Sequence, residues 1–200
     1  MTGDEILEYL RRPDAVVAFD TNTIFGSGGQ KDPGAALIAC ISRINVFRVA
    51  PIRMVVPAVV YHEKLRQMRQ QWGNEFDPSF PEGFLHSKQI VVEAFDKPHA
   101  ERTAERLAAL YPVDGAWRAF KKRRCLECVG LSPTLAGAEG DGSRCGATVD
   151  WLIAAQADMS GYLLVTNDLG AEFASVACMA SVVATKAAAE RLRDEVVAAG

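Results

Sequence analysis

Two short apolar runs, each ending on an acid, constrain this chain more than anything else in it. Ala15-Val16-Val17-Ala18-Phe19 leads into Asp20, and Tyr162-Leu163-Leu164-Val165-Thr166 leads into Asn167 and Asp168. Neither run alternates polar with apolar residues, so each predicts a strand covered on both faces, as inside a parallel sheet. A third run, Ile52 to Val56, stops at Pro57, whose missing N–H suits the first turn of a following helix. A fourth, Ser181-Val182-Val183-Ala184, precedes a helix expected over Thr185 to Ala199.

Helical periodicity fills the intervals. It marks Pro33 to Phe47 (Leu37, Ile41 and Ile44 on one face), Ala58 to Gln71 and Pro98 to Tyr111. It also marks Thr148 to Ser160, with Thr148 as N-cap and a stop before Gly161. Strands alternating with helices predict an α/β fold: a doubly wound, mostly parallel sheet flanked by helices. In such sheets the functional crevice lies beyond the carboxyl ends of the strands, where Asp20 and Asp168 fall. The chain reads as a single domain over its 200 residues. Trp72 to Leu85 reads as a Pro/Gly/aromatic loop. The segment 115–146 reads as a helical insertion, with a basic cluster followed by the small, polar stretch Leu131 to Gly146.

Four acids occupy positions that such a fold would bring together. Asp20 and Asp168 end core strands, Glu63 lies about two turns into the helix after Pro57, and Asp150 sits in a helix's first turn, where the dipole favours a carboxylate. Taken singly, each has a plainer reading as a helix cap, a turn former or a solvated helix acid. Taken together they are costly, since two like charges ~4 Å apart repel by roughly 4 kcal/mol at an effective dielectric of ~20. Divalent cations remove that cost, and oxygen-only donors suit Mg²⁺ or Mn²⁺. One or two such ions activate water and clamp a scissile phosphate. In this reading Asp20 bridges, Asp150 and Asp168 complete the metal shells, and Glu63 binds directly or through water. Asn22, Thr23, Thr166 and Asn167 orient ligands or touch phosphate. His62 faces about 100° away from Glu63 on the helix and is not expected to share its site.

The net charge of −3 excludes a polycationic nucleic-acid binder, so any such contact needs a local patch. The densest is Arg118, Lys121, Lys122, Arg123 and Arg124, either a solvated helix face or a phosphate contact. Trp117 and Phe120, interleaved with it, serve either base stacking or the helix's own packing. No apolar run approaches the ~18 residues of a membrane span and no export signal is evident, so a cytoplasmic location away from membranes is expected. Cys40, Cys125, Cys128, Cys145 and Cys178 then read as reduced thiols. Cys125-x-x-Cys128 with Cys145 falls short of four zinc ligands, and His62, His86 and His99 are scattered, so structural zinc is not expected.

The ordered set of motifs resembles the PIN-domain family, including the VapC-type toxins of toxin–antitoxin modules. Its Asp-x-Asn after a strand is matched by Val17-Ala18-Phe19-Asp20-Thr21-Asn22, and its proline-then-Glu helix by Val55-Val56-Pro57 through Glu63. Its helix-opening Asp is matched by Asp150-Trp151-Leu152-Ile153-Ala154-Ala155, and its Thr-x-Asp by Thr166-Asn167-Asp168 with Phe173 following. The resemblance implies a Mg²⁺- or Mn²⁺-dependent endoribonuclease with RNA as substrate, often a homodimer and often silenced by a cognate antitoxin. Two departures stand out: the insertion before the third acid, and Gly170 where many members carry a further acid, with Glu172 nearby.

Two rivals remain. Phe19-Asp20-Thr21-Asn22-Thr23 also resembles the first motif of haloacid-dehalogenase-type phosphohydrolases, with Asp20 as nucleophile, but the general acid of that motif is Asn22 here. The other is a degenerate PIN module that binds RNA or a protein partner without cutting.

Overall fold

The computed structural model of the chain describes residues 1–25, 32–113, 115–120, 147–168, 170, 172–174 and 176–199. Five strands form one all-parallel sheet in the order β3-β2-β1-β4-β5. They are β1 (Val16–Phe19), β2 (Arg53–Pro57), β3 (Ile90–Glu93), β4 (Leu163–Val165) and β5 (Met179–Ala180). The chain runs outward from β1 through β2 to β3, then returns to lay β4 on the other side of β1. The order therefore reverses between β1 and β4, and this is where a crevice opens in sheets of this kind.

The flanking helices are α1 (Gly3–Arg11), α2 (Thr21–Ile24), α3 (Pro33–Val46), α4 (Ala58–Trp72), α5 (Ser79–Ser87), α6 (Lys97–Leu110), α7 (Ala147–Ser160) and α8 (Val182–Ala199). Helices α1, α3 and α8 pack together as one group, and α4, α6 and α7 as another. This is the α/β architecture expected of the sequence. No described helix is long and apolar enough to cross a membrane.

Every residue of β1 and β4 is buried, as their unbroken apolar runs require. The β1–β4 register pairs Phe19 with Val165, and the Asp20 N–H continues that ladder to the Val165 carbonyl (3.2 Å). Tyr9, buried on α1, locks the other end. Its hydroxyl accepts from the Leu163 N–H (3.1 Å) and lies 2.8 Å from the Gly161 carbonyl. Gly161 ends α7 at φ 65°, the left-handed conformation that glycine adopts without strain. On the other helical layer, Arg106 of α6 reaches Asp158 of α7 (3.2 Å), which fixes the helix that carries Asp150.

Several expectations need correction. Ser181 to Ala184 is not a strand. The Ser181 hydroxyl accepts from the Ala184 N–H (3.2 Å) and its carbonyl from the Thr185 N–H, so Ser181 caps α8 and the strand lies earlier, at Met179–Ala180. Trp72 to Leu85 is not a loop throughout: a short turn at Gly73–Glu75 leads into α5, with the Asp77 carboxylate accepting from Ser79 N–H (2.9 Å). Pro57 closes β2 opposite Glu93 and takes the N-cap position of α4 rather than its first turn. Thr148 lies within α7 instead of capping it. Strand β3 and helix α1 were not foreseen. Thr2 and Glu5 start α1 by capping each other's backbone N–H groups. Of the insertion expected over 115–146, residues 116–120 are helical and 121–146 lie outside the described residues.

Candidate functional site

The end of β1 turns directly into α2, which makes Asp20 both the residue after the strand and the cap of the helix. It is 5% exposed. One carboxylate oxygen accepts from the Thr21 N–H (2.6 Å), and the other accepts from the Thr166 hydroxyl at the end of β4 (2.8 Å). Burial raises the Asp20 pKa. The hydrogen bonds from Thr166 and Thr21 oppose that rise, and the charges of Glu63 and Asp168 add to it.

The same two threonines extend the chain of contacts outward. The Thr21 hydroxyl donates to Glu63 on α4 (2.6 Å), and the Thr166 hydroxyl accepts from the Asp168 N–H (3.0 Å). Glu63, Thr21, Asp20, Thr166 and Asp168 thus form one connected series across the β1–β4 reversal. Asp150, half-buried in the first turn of α7, completes it electrostatically. Its pKa is pushed up to about 7, first by burial and then by the charges of Asp20, Glu172, Asp168 and Glu63. All four acids singled out in the sequence therefore share one electrostatic environment. Among the described residues, no lysine or arginine forms an ion pair with any of the four.

Glu172 is a fifth member that sequence reasoning left aside as merely nearby. Its side chain is 1% exposed. The Asp168 carboxylate accepts from the Gly170 N–H (3.1 Å), and a Cβ on Gly170 would run into the Glu172 carboxylate. Gly170 is thus a glycine because the acid two residues later folds back over it. Thr21 was also not singled out, although it is the middle residue of the Asp-x-Asn motif and its hydroxyl links two of the acids.

The remaining candidates divide. Thr23 donates to the Val165 carbonyl (3.1 Å) and ties α2 to β4. The Asn167 side chain accepts from the Val182 N–H (3.3 Å), which places it at the start of α8. Asn22 and His62 are exposed. Arg118 is exposed on the helical turn 116–120, whereas Lys121, Lys122, Arg123 and Arg124 lie outside the described residues, as do Cys125, Cys128 and Cys145. Trp117 packs against Phe120 (5.4 Å between ring centroids), Tyr111 (5.4 Å) and the buried Trp151 (6.4 Å), so its role is packing. Cys40 and Cys178 are free thiols.

The donor set fits a hard divalent cation in kind: it is oxygen-only, multiply charged, and includes two carboxylates, Asp20 and Asp150, whose pKa values are raised by burial and then by the neighbouring negative charges. As placed, no three described His, Cys, Asp or Glu side chains stand at the spacing of a finished metal shell. Compared with family models, curated proteins and solved structures, the chain gave no match.

Proposed function

We propose that this chain is a divalent-metal-dependent endonuclease of the PIN type that hydrolyses RNA phosphodiester bonds. The observation that carries the reading is the gathering of Asp20, Glu63, Asp150 and Asp168 at the sheet's reversal point with no basic partner among the described residues. A stable fold that needed no cation there would be expected to spend a lysine or arginine on such a cluster.

Asp20, Glu63, Asp150 and Asp168 are the residues that would hold Mg²⁺ or Mn²⁺, with Glu172 adding charge behind them. The ion's contribution is Lewis acidity toward phosphate and water. The chain's own contribution is preorganisation. Thr166 and Thr21 occupy one direction on each Asp20 oxygen, which leaves the remaining lone pairs aimed in fixed directions. Thr21 does the same for Glu63, and Asp168 is held by the turn at Gly170. Asp150, its pKa pushed up to about 7, is only partly ionised near neutral pH, and a bound cation would favour its charged form. The family resemblance extends the proposal to the toxin of a toxin–antitoxin pair and to a homodimer.

The test is incubation of the purified chain with labelled transfer RNA, ribosomal RNA fragments and single-stranded DNA, in Mn²⁺, Mg²⁺ or chelator. Asp20→Asn and Asp168→Asn variants run beside it. Cleavage that needs the cation and vanishes in both variants is the expected result. Folded protein that cuts nothing in the panel, free of any co-purifying inhibitor, would overturn it in favour of a binding module.

A further inference from the structure

We propose that the outer face of α4, with the aromatic turn that follows it, is a binding track for single-stranded nucleic acid leading away from the acid cluster. The inference rests on the nuclease reading only for the direction of the track. The groove's own chemistry carries the rest.

Helix α4 carries two adjoining stripes. Glu63 belongs to the acid cluster, and Arg66, three residues on, neighbours it on the helix surface. Arg66 and Arg69 then line an open groove of about 340 Å³ together with His62, Leu65, Phe76 and Pro78. Along the helix axis the two arginines stand ~4.5 Å and ~9 Å beyond Glu63. Glu63 does not itself line the groove, which occupies the adjoining face of α4 and runs toward the end of that helix.

Arg66 and Arg69 are both exposed, and neither has an ion pair or side-chain hydrogen bond among the described residues. Many of the chain's other arginines are engaged. Arg11 pairs with Glu195, Arg12 with Asp14, Arg106 with Asp158 and Arg191 with Asp4. Asp77, between the groove residues Phe76 and Pro78, turns its carboxylate to the start of α5, while Glu75 beside Phe76 is exposed. Two unmatched guanidinium groups on the helix that carries Glu63, in a chain of net charge −3, suit a polyanion held along that helix.

The far end of the groove is aromatic. Phe76 belongs both to the groove and to a cluster in which Trp72 stacks on it (6.3 Å, 26°) and Phe80 meets Trp72 edge-on (6.4 Å, 85°). Trp72 is 43% exposed and Phe80 67% exposed. Open aromatic rings beside unpaired arginines are the chemistry that holds a strand by stacking on its bases and pairing with its phosphates. A duplex keeps its base faces stacked inside and offers this platform nothing, so single strands are the class selected.

The test uses the full chain in chelator, where no divalent-dependent cleavage interferes, with fluorescent 20-nucleotide oligouridylate, oligothymidylate and a duplex of equal length. Binding to both single strands, and weaker binding to the duplex, is expected. Arg66→Glu/Arg69→Glu should weaken single-strand binding at least tenfold and flatten its log–log salt slope by about 1.4. Trp72→Ala should weaken it about fivefold or more with the slope unchanged. Arg43→Glu/Lys88→Glu, the same charge change on exposed residues at the amino end of the sheet, is the control. A control as damaging as the track variant would overturn the inference, because net charge alone would then account for the loss. A dimer in sedimentation that the track variants dissociate would also overturn it, since a second copy would be the occupant. If the wild type cuts nothing in Mn²⁺ yet the track variants lose binding, the track stands and the nuclease reading falls. If the wild type cuts while the track variants bind normally, the track falls alone.

Discussion

At the amino end of the sheet, Arg48 reaches from the segment between α3 and β2 and donates to the carbonyls of Leu10 (2.6 Å), Arg12 (2.8 Å), Ala50 (2.9 Å) and Arg11 (3.2 Å). These include carbonyls at the end of α1 that have no partner within the helix. Asn45 exchanges hydrogen bonds in both directions with Ile52 (2.8 and 2.9 Å), and Tyr9 stitches α1 to the start of β4. At the carboxyl end the pattern inverts. Asp20, Glu63, Asp150 and Asp168 share one electrostatic field, the first, second and fourth steadied by threonines or backbone N–H groups and none by a described cation. One end uses charge to close the fold, and the other concentrates charge at a cost to stability. Under the proposed function, the difference would separate the residues that hold the protein together from those that make it act.

The largest expected effect would break that comparison if it failed. Asp150→Asn should reduce divalent-dependent RNA cleavage by at least ~100-fold, yet raise the melting temperature in chelator by several degrees, because it deletes a buried charge that its neighbours oppose. Loss of activity together with loss of stability would make Asp150 a structural residue, and the carboxyl end would then resemble the amino end. Arg48→Ala is the converse. It strands several carbonyls and should cost about 3 kcal/mol in chemical denaturation while leaving cleavage by the folded fraction unchanged. A fall in cleavage per folded molecule would show that the two ends are coupled.

The same contrast explains what could be read from the sequence. Strands β1 and β4 were legible because both of their faces are buried, which leaves an unbroken apolar signature. Strand β3 was not, although Ile90-Val91-Val92 is also an unbroken β-branched run: it is short, stops at Glu93, and lies at the sheet's edge with Val91 and Val92 53% and 39% exposed, a position that the run alone does not specify. Helix α5 was masked by Pro78 and Pro81, residues tolerated at a helix start but also typical of loops. At the site, the acids ending β1 and β4 were marked by their strands. Thr21 and Glu172 were not, because their roles depend on which side chains the fold brings within reach.

A pH series sharpens the comparison with a smaller effect. The unfolded Asp150 titrates near 3.9 and the folded one at about 7, a raised value. Its contribution to stability is therefore fully present below pH ~4 and lost as pH rises through about 7. Asp20 is raised as well and acts in the same direction. In chelator, the wild type should be only slightly weaker than Asp150→Asn at pH 5, where the loss has begun. By pH 8 the wild type should be weaker by on the order of 2 kcal/mol, after allowance for solvent screening. Mn²⁺ should abolish the gap by stabilising the charged form. A gap that does not change between pH 5 and pH 8 would mean that the carboxylate charge is not what the carboxyl end strains against.

The smallest effect tests whether Glu172 belongs to the cluster or only lies behind it. Gly170 has no positive φ, so its backbone accepts alanine and the substitution acts only through the new Cβ, which displaces the Glu172 carboxylate. If that carboxylate contributes to the field at Asp150, as the raised pKa there indicates, Gly170→Ala should shift the Mn²⁺ midpoint of cleavage a few-fold and lower the Asp150 pKa. Glu172→Gln should act likewise without the steric change, so the pair separates loss of charge from displacement. If both variants lower the melting temperature by a few degrees but leave the Mn²⁺ midpoint in place, Glu172 belongs with Tyr9 and Arg48 among the residues that hold the fold. The boundary between the two ends of the sheet would then fall between Asp168 and Glu172.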